Sequence, residues 1–184
     1  MSTVKTRHVF TSESVSEGHP DKVCDQISDA ILDALLTQDP ESRVACETLA
    51  TSNLIVLSGE IITKANVNFE RIARKVAGDI GYDNDDLGFN ANDAEVIVKI
   101  HQQSPDIAQG VNADTSLSHE QGAGDQGMMF GFACSETDAF MPAPIYYCHR
   151  IMEEFARLRH SGSYPFLRPG AKTQLSFLYD GGTP

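Results

Sequence analysis

Between Gly18 and Pro40 the apolar residues fall at Val23, Ile27, Ile31 and Ala34/Leu35. That spacing of three and four lines one face of a helix. Pro20 suits a first turn and Asp39-Pro40 ends the run, so the helix is predicted from Pro20 to about Leu36. Directly behind it the period falls to two. Arg43–Ala50 and Leu54–Ile62 read as strands joined by the short Thr51-Ser-Asn53 connection. A helix followed at once by a hairpin points to an α+β layer.

The rest of the chain extends this pattern. Asn68–Ile80 is amphipathic, with Phe69, Ile72, Ala73, Val76 and Ile80 on its buried face and Gly81 placed as a C-cap. Strands are predicted at Ala94–Ile100, Met128–Cys134 and Lys172–Tyr179. A third helix is predicted at Pro144–Arg159, with Ile145, Cys148, Ile151/Met152, Phe155 and Leu158 inward. Phe10–Lys22 is crowded with hydroxyls and reads as a loop. His101–Gln121 has no periodicity, and a loop of that length is usually a functional lid or disordered. The order αββαβ, loop, βαβ gives two α+β units, residues 1–102 and 122–184, flanking a mobile segment at 103–121. The second unit is incomplete, because Asp180-Gly-Gly after an alternating strand is hairpin chemistry without its partner strand.

A formal charge of −12 argues against nucleic acid, whose phosphates need clustered Lys and Arg. It suits divalent cations better, so a bound phosphate is expected as its magnesium complex. The four cysteines form no CxxC pair. Cys24, Cys46 and Cys134 lie in apolar-periodic segments, which predicts buried, reduced thiols. No apolar run approaches membrane length and no signal-peptide core follows the first residues. A cytoplasmic protein without membrane contact is expected.

Gly18-His-Pro-Asp-Lys22 sets an imidazole, a carboxylate and an ammonium at a helix N-terminus, where unpaired N–H groups favour anions. His19 reads either as a donor to a phosphate or as a cap, and Asp21 either as a Mg2+ ligand or as a first-turn acid. Gly122-Ala-Gly-Asp-Gln-Gly127 is either a structural turn or a phosphate cradle. Glu47 shares a face with Ala45 and Leu49, which predicts a partly buried acid. Glu60, on the neighbouring strand, is a second acid within an apolar run. Lys172 at a strand start and the amides of Gln102-Gln-Ser-Pro-Asp106 have surface readings as well. His149 reads as a satisfied helix histidine, and Met128, Met129, Tyr146 and Tyr147 as packing.

Taken together and in order, several stretches resemble the methionine adenosyltransferase (S-adenosylmethionine synthetase) family: FTSESVSEGHPDK at Phe10–Lys22, VACET at Val44–Thr48, GEIIT at Gly59–Thr63, QSPDIAQG at Gln103–Gly110, GAGDQGMM at Gly122–Met129, ETDAFMP at Glu136–Pro142 and LRPGAKTQ at Leu167–Gln174. The resemblance implies repeats of mixed sheet with helices on one face, one complete and one truncated here. It also implies formation of S-adenosylmethionine from L-methionine and ATP, with cleavage of the triphosphate to phosphate and pyrophosphate. Carried over by motif, His19 and Lys172 are catalytic. His19, Asp125, Gly170, Ala171 and Lys172 would contact ATP, and Glu60 and Gln103 methionine. Asp21 would hold Mg2+ and Glu47 would serve a K+ site. Active sites would form between subunits of a homodimer or homotetramer. Position 170 is Gly where the family usually has Asp, and family members are about twice as long. The chain alone is therefore expected not to be fully active. The alternative is a non-catalytic truncated paralogue serving as an oligomerisation or MgATP-binding module.

Overall fold

The computed structural model describes residues 6–101 and 127–181. Helix α1, Pro20–Gln38, buries Val23, Ile27, Ile31 and Leu35, one residue per turn on a single face. Its end is held by Asp39, whose carboxylate accepts from the backbone N–H of Lys64 at 2.7 Å and of Glu41 at 3.3 Å. Those donors keep the Asp39 carboxyl below its ordinary pKa. Strands β2 (Arg43–Thr51) and β3 (Leu54–Ile62) form the predicted hairpin. Asn53 at its turn takes a left-handed backbone, which asparagine tolerates.

Helix α2 (Phe69–Ile80) is capped by Asn68, whose side chain accepts from the Arg71 N–H at 2.8 Å. It ends at Gly81 in the left-handed region, as the C-cap reading requires. Strand β4 (Glu95–His101) then runs parallel to β3, so β3, α2 and β4 make a crossover unit. The sheet order is β2-β3-β4. One face carries Ile55, Leu57 and Ile61 into the core with α1 and α2, and the other is open. A single 3-10 turn, Asp85–Leu87, precedes β4.

A second, two-stranded antiparallel sheet pairs β1 (Arg7–Val15) with β5 (Lys172–Asp180), and helix α3 (Ala143–His160) packs over it. The arrangement is α+β with mixed sheets, as expected. Strand β1 corrects the loop reading of the first motif. Its polar side chains find partners across the structure: Thr11 and Ser176 share a hydroxyl hydrogen bond at 2.7 Å, and Ser14 meets His149 at 2.8 Å. Composition alone cannot show such distant pairing.

Three further readings are corrected. Met128–Cys134 is not a strand; Met128, Met129, Phe130 and Phe132 are exposed rather than packed. Among the described residues no strand edge pairs with this run, and an apolar run without a pairing edge makes no ladder. On α3 only Ala143, Pro144, Cys148 and Met152 are buried, and Ile151 faces outward. A sheet two strands wide covers a single line of helix side chains. The four cysteines are free, as expected, but only Cys148 is fully buried.

Candidate active site

His19 is the N-cap of α1, and its Nδ1 accepts from the Asp21 N–H at 3.3 Å. A neutral imidazole accepting through Nδ1 carries its proton on Nε2, which is then free to donate. The Asp21 carboxylate lies 3.6 Å from Nδ1, and its side chain is 85% exposed. Lys22 is occupied by Asp25 at 2.8 Å, and this hydrogen bond and charge raise its pKa.

The segment ahead of His19 is tied to the far end of the chain. Ser16, 1% exposed, donates its hydroxyl to the carbonyl of Pro169 at 2.6 Å and accepts from the Ala171 N–H at 2.7 Å. Its own N–H reaches the Ala171 carbonyl at 2.9 Å. Gly18 fits because it has no side chain: a Cβ there would be driven into Pro169. The Tyr82 hydroxyl donates to the Gly18 carbonyl. Pro169–Lys172 is thereby laid beside the His19 loop, and Lys172 opens β5 opposite Val15. A cavity of about 280 Å³ lies behind this corner, walled by Gly18, Pro20, Thr51, Tyr82 and Phe89.

The predicted residues thus divide into two groups. His19, Asp21, Gly170, Ala171 and Lys172 share one corner. Glu47 and Glu60 stand on the open face of the three-stranded sheet, away from α1. There Glu60 lies between Ala45 and His101, and Glu47 opposite Ser58. Glu47 is exposed, which corrects the partly buried reading; Ala45 and Leu49 share its face because the core takes the alternate residues Val44, Cys46 and Ala50. Glu60 is the half-buried acid. Gln103 and Asp125 lie outside the described residues. No cluster of three or more metal-binding side chains occurs among the described residues.

Sequence reasoning missed Ser16 and Tyr82 as organisers of the corner. Ser16 lies inside the first motif, but its partners are more than 150 positions away. It also missed Glu136, whose carboxylate accepts from the Ala143 N–H at 2.8 Å and from the Tyr179 hydroxyl at 2.7 Å. Glu136 so caps α3 and holds it to β5.

Residues 7–105 match the model of the S-adenosylmethionine synthetase N-terminal domain, and residues 120–184 that of the central domain. The chain belongs to the S-adenosylmethionine synthetase family. It is 54% identical over 186 aligned positions to the S-adenosylmethionine synthase of Trichormus variabilis, covering 97% of this chain and 44% of that protein. The same figures hold for the S-adenosylmethionine synthase of Nostoc punctiforme. The chain therefore spans less than half the length of these curated relatives. Within the synthetase family match, the described structure holds the helix-start corner and the open sheet face, on which Glu47, Glu60 and Glu95 stand with Lys99. No helix among the described residues is long and apolar enough to cross a membrane.

Proposed function

We propose that the chain forms the N-terminal part of a cytoplasmic enzyme that makes S-adenosylmethionine from L-methionine and ATP and then cleaves the triphosphate. The observation that carries this is the corner where Ser16 joins the His19 N-cap to Pro169–Lys172. Displacement of a triphosphate from C5′ needs in-line placement and neutralisation of the leaving anion. The first turn of α1 offers the Lys22 backbone N–H and the positive end of its dipole to that anion, the Asp21 N–H being taken by His19 and Pro20 having none. His19 would donate through Nε2 to the departing oxygen, and Lys172 would meet the phosphates. Gly170 and Ala171 would contribute backbone contacts to ATP, joined by Asp125.

Asp21 fits Mg2+ as a single exposed carboxylate at an anion-binding helix end, since Mg2+ commonly takes one or two carboxylates plus substrate phosphates and water. Bound there, Mg2+ would supply charge neutralisation for the triphosphate. Glu47 would give one carboxylate to a K+ site. Glu60, with Gln103, would hold the methionine amino group. Because one chain separates Glu60 from the His19 corner, the reading calls for a homodimer or homotetramer with active sites between subunits.

A chimera tests this. Residues 1–184 would replace the matching part of the Trichormus variabilis synthase, and product would be followed by mass spectrometry with methionine, MgATP and K+. S-adenosylmethionine is expected, with loss in His19→Ala and Lys172→Ala. A folded chimera without product overturns the reading. The exposed Leu49 on the open face favours a second reading, a non-catalytic module that pairs with a longer subunit. The 184-residue chain pairing with the intact synthase, while the chimera stays inactive, would select it.

A further inference from the structure

Residues 16–19 have no regular structure, yet each of their carbonyls is taken. The Ser16 carbonyl accepts from the His19 N–H at 3.0 Å, and the His19 carbonyl from the Val23 N–H at 2.9 Å. The Glu17 carbonyl accepts from Gln26 at 2.9 Å, and the Gly18 carbonyl from Tyr82. The Glu17 side chain turns the other way. Its Oε1 meets Arg159 Nη2 at 2.5 Å and His160 Nε2 at 2.8 Å, both from the last turn of α3. The Arg159 side chain is only 10% exposed. It crosses the C-terminus of α2, where a Cβ on Gly81 would run into its guanidinium and where a helix end favours a cation. Among the described residues Glu17 is its only ion-pair partner. A buried guanidinium committed to one carboxylate resists displacement, because removing that carboxylate leaves an unpaired buried charge.

We propose that Glu17 and Arg159 are positioning residues that lock the His19 loop between α1, α2 and α3 and so fix the imidazole at the start of α1. The role in catalysis rests on the functional reading above; the lock itself does not. A merely structural pair would stabilise the whole fold. This pair ends two residues before His19, in a segment with no regular structure of its own, so its loss is expected to be felt there first.

The test uses the 184-residue chain without substrate. The ring 15N signals of His19 and the exchange of the His19, Val23 and Ala171 amides would be compared in wild type, Glu17→Gln and Arg159→Met. Arg150→Gln, which breaks the exposed pair with Glu153 on α3, is the control. Glu17→Gln and Arg159→Met are expected to move the His19 ring signals and to speed exchange at those three amides roughly tenfold or more relative to the Ile72 amide of α2. Arg150→Gln should do neither, and Arg159→Lys should fall between. If the stronger variants do not fold, Tyr82→Phe frees the Gly18 carbonyl and should act in the same direction to a smaller extent. Unchanged His19 signals, or exchange rising equally at Ile72, would overturn the proposal. An inactive chimera would sink the functional reading and leave the exchange result standing. In an active chimera, Glu17→Gln should lower kcat on the order of 10- to 100-fold with KM for ATP nearly constant; a rise in KM alone would refute the positioning role.

Discussion

The resemblance puts Gly170 where the family usually carries Asp, and the local backbone does not demand glycine there. A Cβ there would lie 3.6 Å from the Tyr82 hydroxyl and 3.7 Å from the Gly18 carbonyl, ordinary contact distances. Gly170→Asp should therefore change unfolding free energy by less than about 0.5 kcal/mol, measured by urea titration, while lowering KM for ATP in the chimera. A large loss of stability would show that the corner has no room for the carboxylate. Tyr179 makes a second residue-scale case. Its burial, then its hydrogen bond to Glu136, pushes the phenol up to about 12 from an ordinary value of 10.0. Folding thus favours the neutral phenol. The resulting stability is fully present below pH 10 and is lost as pH rises toward 12. Urea midpoints should fall more steeply across that window for wild type than for Tyr179→Phe. Equal slopes would remove Tyr179 from the explanation.

At the scale of elements, α1 carries the first unit. Ile31 is fully buried among α1, β3 and α2 side chains, so Ile31→Ala should cost roughly 2–5 kcal/mol. Leu36, exposed on the same helix, should be nearly neutral to Leu36→Ala. A similar loss at both positions would mean that helix propensity, rather than core packing, dominates. The elements that could be read in the sequence are those whose signal is local. The apolar face of α1, the Asn68 cap and Gly81 stop of α2, and the alternation of β5 all lie within one element. Strand β1 was hidden because its hydroxyls pair with residues far along the chain. Ile151 was misplaced because helix spacing shows which residues line up, not how wide a surface they meet. Glu47 was misplaced for the matching reason in a strand: alternation defines two faces without naming the buried one. In the site, His19, Asp21 and Lys172 could be found by residue type and motif. Ser16, Glu17, Tyr82 and Arg159 could not, because their roles come from contacts between distant segments.

At the scale of the whole molecule, the open face of the β2-β3-β4 sheet carries the exposed Leu49 two residues from Glu47 and opposite Val56, with Glu60 farther along the same face. On the proposed reading this face meets a second subunit. Leu49→Glu would put a charge in place of an exposed apolar side chain on this face and should shift sedimentation of the chimera toward monomer, with activity falling in parallel. Unchanged sedimentation would place the subunit contact elsewhere.

The pairing of β1 with β5 has a consequence for how such a chain is made. Thr11 and Ser176 are hydrogen-bonded partners 165 positions apart. On a ribosome adding roughly 5–20 residues per second, β1 emerges on the order of ten to thirty seconds before its partner strand exists. During that interval α1, α2 and the three-stranded sheet have all their own residues and are free to fold, while β1 trails as a bare edge with Val9 and Phe10 on it. Closing so long a loop is slow compared with the local contacts of the first unit. The sheet that carries Lys172 therefore closes after the first unit, and the segment leading into His19 gains its Pro169–Ala171 partners only then.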